Sequence, residues 1–366
     1  MGKRTFIFAG GGTGGHLYPG LAVAAAVQAR EPLADVMFMT TNRPLDRELL
    51  ARTAFAQHAQ EVRPFSTKPW RWPGFYLAWR KSVAAAVELF RRNPPHAVLG
   101  LGGYAAGPPV AAARKLGIRS AILNPDAIPG RANRFLAPRV ELVAMQWEVS
   151  RRHFASGANC QVVGCPIRAE FKDVHRGVGC EKFGVDPSRP LLLVTGASQG
   201  ARTINQTMQL VWPLFSAAHP EWQLLHLTGA GEEAECKAAY AQTRVEARVL
   251  AFTHEMAWAL AAADVVIARA GASTLAELTA LGKPSILLPY PYHRDNHQAA
   301  NAQVLVDAGA AVLIADTKDA TRNAEPVLMA LRRMADRTMR ELMASAARTL
   351  GRVDAADEVA AWIGRA

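Results

Sequence analysis

Residues 10–16 read Gly-Gly-Gly-Thr-Gly-Gly-His and follow a short apolar run at 5–9. Five glycines and a threonine let a backbone approach a bulky anion. A strand that runs through such a loop into a helix turns backbone N–H groups toward phosphate. His16 closes the motif, and a neutral imidazole with a pKa of about 6.5 can take a proton from a hydroxyl nucleophile. The loop satisfies G-x-G-x-x-G through Gly10, Gly12 and Gly15. A dinucleotide site also needs an acid at the end of the second strand to hold the ribose. That strand ends Met39-Thr40-Thr41-Asn42-Arg43, with no acid. The loop is therefore read as one that approaches a phosphate or a sugar; a purely structural turn is the alternative.

Two further loops repeat the arrangement. Residues 196–200, Gly-Ala-Ser-Gln-Gly, follow an apolar run at 191–195. They match G-x-S-x-G, the nucleophile turn of hydrolases, and Asp264 with His293 or His297 follow in the chain order of such a triad. The motif opens the second half of the chain and echoes the first loop, which favours Ser198 as a hydroxyl donor to phosphate. Residues 268–277, Ala-Arg-Ala-Gly-Ala-Ser-Thr-Leu-Ala-Glu, again pass from a strand through small residues into a helix. Backbone N–H groups at 271–274 can hold a diphosphate. Glu277 can accept from ribose hydroxyls, or simply complement the helix dipole.

Arg168 ends Gly-Cys-Pro-Ile-Arg at 164–168. A cation at a hinge can stabilise charge on a departing phosphate; a solvated surface arginine is the plain alternative. In His-Arg-Asp-Asn-His-Gln at 293–298 the histidines are four apart. A helix starting near Gln298 would keep them off a common face, so the segment reads as a polar loop for a sugar or nucleotide. No Asp-x-Asp pair for a metal diphosphate is found, and neither a metal nor a cofactor is expected.

Residues 68–81 set five aromatics, Trp70, Trp72, Phe75, Tyr76 and Trp79, among Lys68, Arg71, Arg80 and Lys81. This mixture anchors proteins at a membrane–water interface. Single-stranded nucleic acid can use similar chemistry, and an ordinary half-buried helix face is a third reading. The net charge of +11 favours an anionic partner without choosing among them. The four cysteines form no C-x-x-C pair and read as buried apolar residues of a reducing compartment. Residues 1–9 are too short in apolar length for a secretion signal, and no stretch approaches the roughly 18 residues of a membrane span.

These loops need elements to position them. At 366 residues two domains are expected. Strands are read at 5–9, 36–40, 97–101, 120–123, 140–144 and 161–163, and again at 191–195, 223–228, 248–252, 265–268, 285–288 and 311–314. Long helices are read at 21–30, 82–92, 201–218, 299–308 and from near 337. Strand–helix alternation gives an α/β fold with parallel sheets. Each half opens strand, glycine loop, helix, so the halves read as two Rossmann-like domains facing a cleft, with a boundary near 164–166.

With these motifs in place the chain resembles the MurG family of bacterial peptidoglycan glycosyltransferases over nearly its whole length. The resemblance rests on GGGTGGHLYPG at 10–20, GLGGYAAGP at 100–108, GASQGARTIN at 196–205, GASTLAE at 271–277 and DNHQ at 295–298. It implies a GT-B fold: an N-terminal acceptor and membrane-facing domain at 1–166, a UDP-sugar domain at 167–344, and a final segment at 345–366 crossing back to the first. It implies transfer of N-acetylglucosamine from UDP-N-acetylglucosamine to undecaprenyl-diphosphate-linked N-acetylmuramoyl-pentapeptide, with no nucleic acid partner. The place of action would be the cytoplasmic face of the bacterial cell membrane, peripherally, in cell-wall synthesis and hence cell shape and division. Matched by position, donor contacts would be Thr13, Gly14, Gly15, Asp126, Arg168, Ser198, the backbone near Thr253, Ala272, Ser273, Thr274, Leu275, Ala276, Glu277 and Gln298. The membrane-facing residues would be Trp70, Arg71, Trp72, Phe75 and Trp79.

One departure stands out. The family shows His-Glu-x-Asn where this chain reads Leu123-Asn124-Pro125-Asp126. Asp126 thus replaces a neutral amide: a carboxylate that weakens diphosphate binding unless paired, or that serves as the base. The expected reaction is an inverting transfer, with His16 the first candidate base and Asp126 the second. The rivals are another GT-B enzyme (a glycolipid synthase or nucleotide-sugar epimerase), a serine hydrolase using Ser198, and a nucleotide-sugar or nucleic-acid binding module without catalysis.

Overall fold

The computed structural model describes residues 3–66, 68–196, 200–243, 245–292 and 296–365. Two compact units emerge: 1–168 together with 352–366, and 169–351.

The first unit is built on β1 (Thr5–Gly10), β2 (Asp35–Thr40), β3 (Ala56–Ala59), β4 (Ala97–Gly102), β5 (Arg119–Asn124), β6 (Leu142–Met145) and β7 (Cys160–Val162). All pair in parallel in the order β3-β2-β1-β4-β5-β6-β7. Between them run α1 (Gly14–Arg30), α2 (Pro44–Leu50), α3 (Trp72–Arg92), α4 (Gly107–Leu116) and α5 (Arg131–Leu136). Alternation along each strand feeds two cores. Phe6, Phe8, Phe38, Leu99 and Leu101 pack on one face with Leu17 and Val23 of α1. Ile7, Ala9, Met39, Val98 and Ile122 pack on the other with Val87 and Phe90 of α3 and Val110 of α4.

The second unit begins with α6 (Arg176–Phe183). It continues through β8 (Leu191–Thr195), α7 (Arg202–Ala218), β9 (Gln223–Leu227), α8 (Glu233–Gln242), β10 (Arg248–Leu250) and α9 (Met256–Ala262). Then come β11 (Val265–Ala268), α10 (Ala272–Ala280), β12 (Ser285–Leu287), α11 (His297–Asp307), β13 (Ala311–Leu313), α12 (Ala320–Met334) and α13 (Arg337–Leu350). Its sheet is parallel in the order β10-β9-β8-β11-β12-β13. Leu192 and Val194 of β8, Met208 and Val211 of α7, and Leu331 of α12 form its main core. The chain then returns to the first unit as α14 (Ala355–Ile363), whose Val359, Trp362 and Ile363 join the core beside α1. The division falls at 351/352, after α13, rather than at 344/345 inside that helix.

The sequence reading contains no helix at α12, and three further elements differ from it. Helix α1 starts at Gly14 rather than residue 21 and carries Pro19 inside its second turn, buried, where the helix continues at the loss of one backbone hydrogen bond. Helix α3 starts at Trp72 rather than residue 82, with a proline in its first turn, where no N–H is needed. The aromatic segment is therefore helical. Strand β3, Ala-Gln-His-Ala, is an exposed edge strand without β-branched residues, and the pattern gives no sign of it.

Candidate active site

In both sheets the strand order reverses direction beside the first strand, between β1 and β4 and between β8 and β11. Ligands of doubly wound sheets bind beyond the carboxyl ends of the strands at that point. All four glycine motifs stand there: residues 10–15 after β1, 102–103 at the end of β4, 196–200 after β8 and 269–271 after β11.

In the first unit Gly10, Gly11 and Gly12 have φ of 157°, 149° and 87°. A Cβ on Gly10 would lie 2.7 Å from the Leu101 Cβ, and one on Gly11 2.5 Å from an oxygen of Asp46. Asp46 is buried at the start of α2. Its two oxygens accept the Gly12 N–H at 2.8 and 3.0 Å, and one accepts the Thr41 N–H at 3.1 Å. Arg43 donates to the Gly12 carbonyl at 2.9 Å. The first loop is thus braced from beneath by the protein's own anion. Gly12 does not offer its N–H outward to phosphate, which corrects the simplest cradle reading. Asp46 is absent from the sequence reading; an acid two residues beyond Pro44 resembles any helix-start acid.

His16 lies in the first turn of α1, half-buried, with Nδ1 3.0 Å from the Thr13 hydroxyl. Its ring rests on the Gly102–Gly103 backbone. A Cβ on Gly102 would sit 2.9 Å from Cδ2 and 3.1 Å from Nε2, and one on Gly103 3.1 Å from the Gly11 carbonyl. Both glycines have positive φ, 105° and 72°. Inside α1, Pro19 has no N–H to give the Gly15 carbonyl. Arg168 stands with its guanidinium carbon 5.8 Å from the centre of the Tyr18 ring, beside the same turn.

Asp126 follows β5 on the same edge of the sheet and is half-buried. Its backbone is fixed: the carbonyl accepts from Asn124 Nδ2 at 2.9 Å and the Ser150 hydroxyl at 3.0 Å. Asn133 in turn donates to the Leu123 carbonyl and to Asn124 Oδ1, at 2.8 and 3.1 Å.

In the second unit, a Cβ on Gly196 would meet the Ala201 nitrogen at 2.1 Å, and one on Gly200 the Thr228 carbonyl oxygen at 2.0 Å. Neither Gly196 nor Gly200 has room for a side chain. Ser198 between them lies outside the described residues, as do His293 and Asp295. Helix α10 starts after Gly271, so the N–H groups of Ala272, Ser273 and Thr274 lack intrahelical acceptors. Ser273 Oγ is buried with no hydrogen-bond partner among the described residues. A buried hydroxyl without a partner at a helix start has room to receive an oxygen, of a water or of a ligand. Leu275 and Ala276 pack inward from the same turns, and Glu277 is half-buried one turn in. Gln298, in the first turn of α11, accepts the Tyr290 N–H at 2.9 Å, which leaves its amide NH₂ as a donor. Thr253 follows β10, and its hydroxyl accepts the Glu255 N–H at 3.0 Å. These residues all stand on the carboxyl edge of the second sheet.

Behind them is a buried ion pair absent from the sequence reading. Arg269 donates to Asp316 at 2.6 Å, to Thr203 Oγ1 at 2.9 Å and to the carbonyls of Leu288 and Pro289 at 3.0 and 3.2 Å. Burial works to raise the Asp316 pKa, but hydrogen bonds from Thr203, Arg269, the Lys318 N–H and Asn323 outweigh it and hold the carboxyl below its usual range. The pair clamps the loops after β11, β12 and β13 together.

Asp264 is not where a hydrolase triad would need it. It precedes β11, on the amino edge, and its carboxylate holds Arg176 and the Leu191 N–H, each at 2.8 Å. Gly196, just past the far end of the paired strand β8, is about 15 Å away at 3.3 Å per residue.

The aromatic segment of the first unit is open to solvent at its start: Trp70 is 74% and Trp72 49% exposed. Phe65 packs between the Trp72 and Phe75 rings, and Trp79 meets Phe135 edge-on. Lys68 and Arg80 lie over Trp70 and Tyr76, and Arg139 over Phe135. Trp79 is seated where Gly107 lacks a side chain, since a Cβ there would be 2.4 Å from the ring. A groove of about 620 Å³ opens between Arg63, Phe65, Trp70, Arg71 and Phe75. No helix among the described residues is long and apolar enough to cross a membrane.

Comparison with known proteins gives a consistent picture. Residues 6–145 match the glycosyltransferase family 28 N-terminal domain, and 191–359 the family 28 C-terminal domain. The chain is 40% identical over 318 residues to a protein of Desulforudis audaxviator, covering 85% of each. It is 36% identical over 362 residues to one of Prosthecochloris aestuarii, covering 98% and 97%. Both relatives are named UDP-N-acetylglucosamine–N-acetylmuramyl-(pentapeptide) pyrophosphoryl-undecaprenol N-acetylglucosamine transferase. The crystal structure of Acinetobacter baumannii MurG superposes with a TM-score of 0.78 at 25% identity, covering 98% of this chain and 99% of that one. A UDP-GlcNAc 2-epimerase from Neisseria meningitidis shares the fold, with a TM-score of 0.65 at 14% identity and 99% coverage of each chain.

Proposed function

We propose, from the premise that this chain belongs to glycosyltransferase family 28 and within it to the MurG family, that it moves N-acetylglucosamine from UDP-N-acetylglucosamine to the 4-hydroxyl of an undecaprenyl-diphosphate-linked N-acetylmuramoyl-pentapeptide. The reaction belongs to peptidoglycan synthesis. The observation that carries the reading is the doubled switch point: a glycine-built loop in each unit, the first with a histidine against its glycines and the second with a helix start and a buried hydroxyl that has no partner among the described residues.

The donor is assigned to the second unit. The helix start at 272–274 and Ser198 take the diphosphate, Glu277 the ribose, and Thr253 and Gln298 the base and sugar. The first unit presents the acceptor. The acceptor hydroxyl attacks the anomeric carbon, the bond to UDP breaks on the opposite face, and the hydroxyl proton passes to a base. His16 suits that role in one tautomer: Nδ1–H donating to Thr13 leaves Nε2 as the proton acceptor. Asp126 is the second candidate, as a carboxylate on the same sheet edge. Arg168 and the helix start of α10 take up charge growing on UDP. Thr13, Gly14 and Gly15 of the first unit are assigned as further donor contacts. The aromatic and basic surface at Trp70, Arg71, Trp72, Phe75 and Trp79 rests on an anionic leaflet, where a lipid acceptor is found. The enzyme thus works peripherally at the cytoplasmic face of the membrane.

The test is release of UDP from UDP-N-acetylglucosamine and from other UDP-sugars, with and without the polyprenyl-diphosphate acceptor. Release that requires both the N-acetylglucosamine donor and the lipid acceptor supports the reading. UDP binding without turnover would leave a binding module instead. His16→Ala should lower turnover by about a hundredfold or more while UDP affinity holds; a change within about threefold transfers the base role to Asp126.

A further inference from the structure

The second unit carries another polar concavity, at the opposite edge of its sheet from the donor loops. In a parallel sheet all amino ends lie on one edge, and Pro190, Asp264 and Pro284 immediately precede β8, β11 and β12. With Arg176 of α6 and one face of α13 they line a cavity of about 480 Å³. On α13, Arg337, Arg340, Ala344 and Arg348 recur at steps of three and four, the repeat that aligns side chains on one helix face. The small Ala344 leaves space between the arginines.

Six basic groups line this cavity, Arg176, Arg189, Lys283, Arg337, Arg340 and Arg348, against only two carboxylates, Asp264 and Glu341. Arg176 pairs with Asp264 at 2.8 Å and Arg337 with Glu341 at 2.7 Å, while Arg189 reaches Glu246 at 3.4 Å. The other three are held by carbonyl groups and packing. Lys283 donates to the carbonyls of Ala261 and Ala263 at 3.0 and 2.8 Å. Arg340 donates to those of Met334 and Ala335, both at 2.8 Å, and lies 5.0 Å from the Trp222 ring. Arg348 is seated on Gly282, whose φ of 60° and missing side chain make the room; a Cβ there would lie 2.5 Å from the arginine Cγ. Carbonyls orient these cations without cancelling their charge. Burial costs the Lys283 ammonium and lowers its pKa to about 8, and an anion in the cavity would offset that cost.

We propose that this cavity is a second ligand site, for a small oligophosphate anion. Guanidinium forks match phosphate oxygens in pairs. The volume lies within the roughly 300–1,000 Å³ of small-molecule sites. Apart from the charged groups the lining is proline, alanine, glycine and serine. It offers no aromatic face to stack a nucleobase, so recognition is by charge. The site is separate from the donor loops and does not depend on their assignment.

The experiment is calorimetric titration of the full-length chain with inorganic pyrophosphate and triphosphate, at fixed ionic strength and with UDP saturating the donor loops. Saturable one-to-one binding is expected, weakened at least tenfold in the Arg337→Ser, Arg348→Ser double variant. Pyrophosphate should raise the melting temperature of the unmodified protein and not of that variant, while far-ultraviolet circular dichroism checks that the variant is folded. Heat without saturation, affinity unchanged in the double variant, or binding abolished by UDP would each overturn the proposal. So would binding of a short-chain anionic phospholipid when pyrophosphate gives none, which would make this a headgroup site.

Discussion

The carboxylate of Asp46 accepts the Gly12 N–H with both of its oxygens, at 2.8 and 3.0 Å, and so holds the first glycine loop from within. Asp46→Ala would leave the Gly12 and Thr41 N–H groups buried without an acceptor. Each such loss costs about 1–3 kcal/mol, so urea denaturation should show the unit destabilised by about 2–6 kcal/mol. Asp46→Asn keeps one acceptor oxygen and should cost roughly half as much. Equal stabilities for both variants and the parent protein would mean the brace is dispensable.

Gly102 is the floor on which the His16 ring rests. Gly102→Ala adds a carbon 2.9 Å from the ring at a φ of 105° that alanine rarely adopts. The ring must shift, and with it the atom proposed to take the proton. Turnover should fall at least tenfold, while UDP affinity, assigned to the other unit, stays within about twofold. A variant that loses both together has been damaged more widely than this geometry predicts.

His226 supplies a pH signature of the second unit. It is fully buried, and Asn205, whose Nδ2 donates to the Thr228 carbonyl at 2.8 Å, turns its Oδ1 to His226 Nε2 at 3.0 Å. Nε2 therefore carries the hydrogen, and Nδ1 accepts from the Tyr240 hydroxyl at 2.9 Å. Burial lowers its pKa from 6.5 to about 3. The unfolded chain thus takes up this proton first as pH falls. The stability due to neutral His226 is whole above pH 6.5 and is lost down to about pH 3, at up to about 1.4 kcal/mol per pH unit. His226→Gln should flatten the slope of unfolding free energy against pH between 4 and 6.5. An identical slope in the variant would count against the burial argument.

The exposed aromatics of α3 and the turn before it invite a binding measurement. Serine at Trp70, Trp72 and Phe75 together should weaken binding to vesicles containing phosphatidylglycerol by tenfold or more, with little change for soluble acceptor analogues. Trp79 is left out because it fills the space over Gly107, and its loss would open a cavity. Unchanged vesicle binding would separate this surface from the membrane.

The parallel sheets and both glycine loops were legible in the sequence because β-branched runs and glycine clusters are local signals. Strand β3 and the early starts of α1 and α3 were not, since an exposed edge strand has no apolar pattern and prolines inside or at the start of a helix read as breaks. Within the site, His16, Asp126, Ser273 and Gln298 announce themselves by motif or position. Asp46 and the Arg269–Asp316 pair do not. Their partners come from strands and helices far apart in sequence, so a lone buried charge looks like any surface acid or arginine until the sheet order brings the loops together.

Helix α14 belongs to the first unit although residues 169–351 form the second. Val359, Trp362 and Ile363 complete the core between α1 and the first sheet. On the ribosome, where domains fold as units as they emerge, the unit begun first is the one finished last. The second unit is a continuous segment and can close while the first still lacks a wall of its interior. A chain cut short by its last fifteen residues would keep a sound second unit and an unfinished first one, so translational truncation and a catalytic lesion would have the same outward effect.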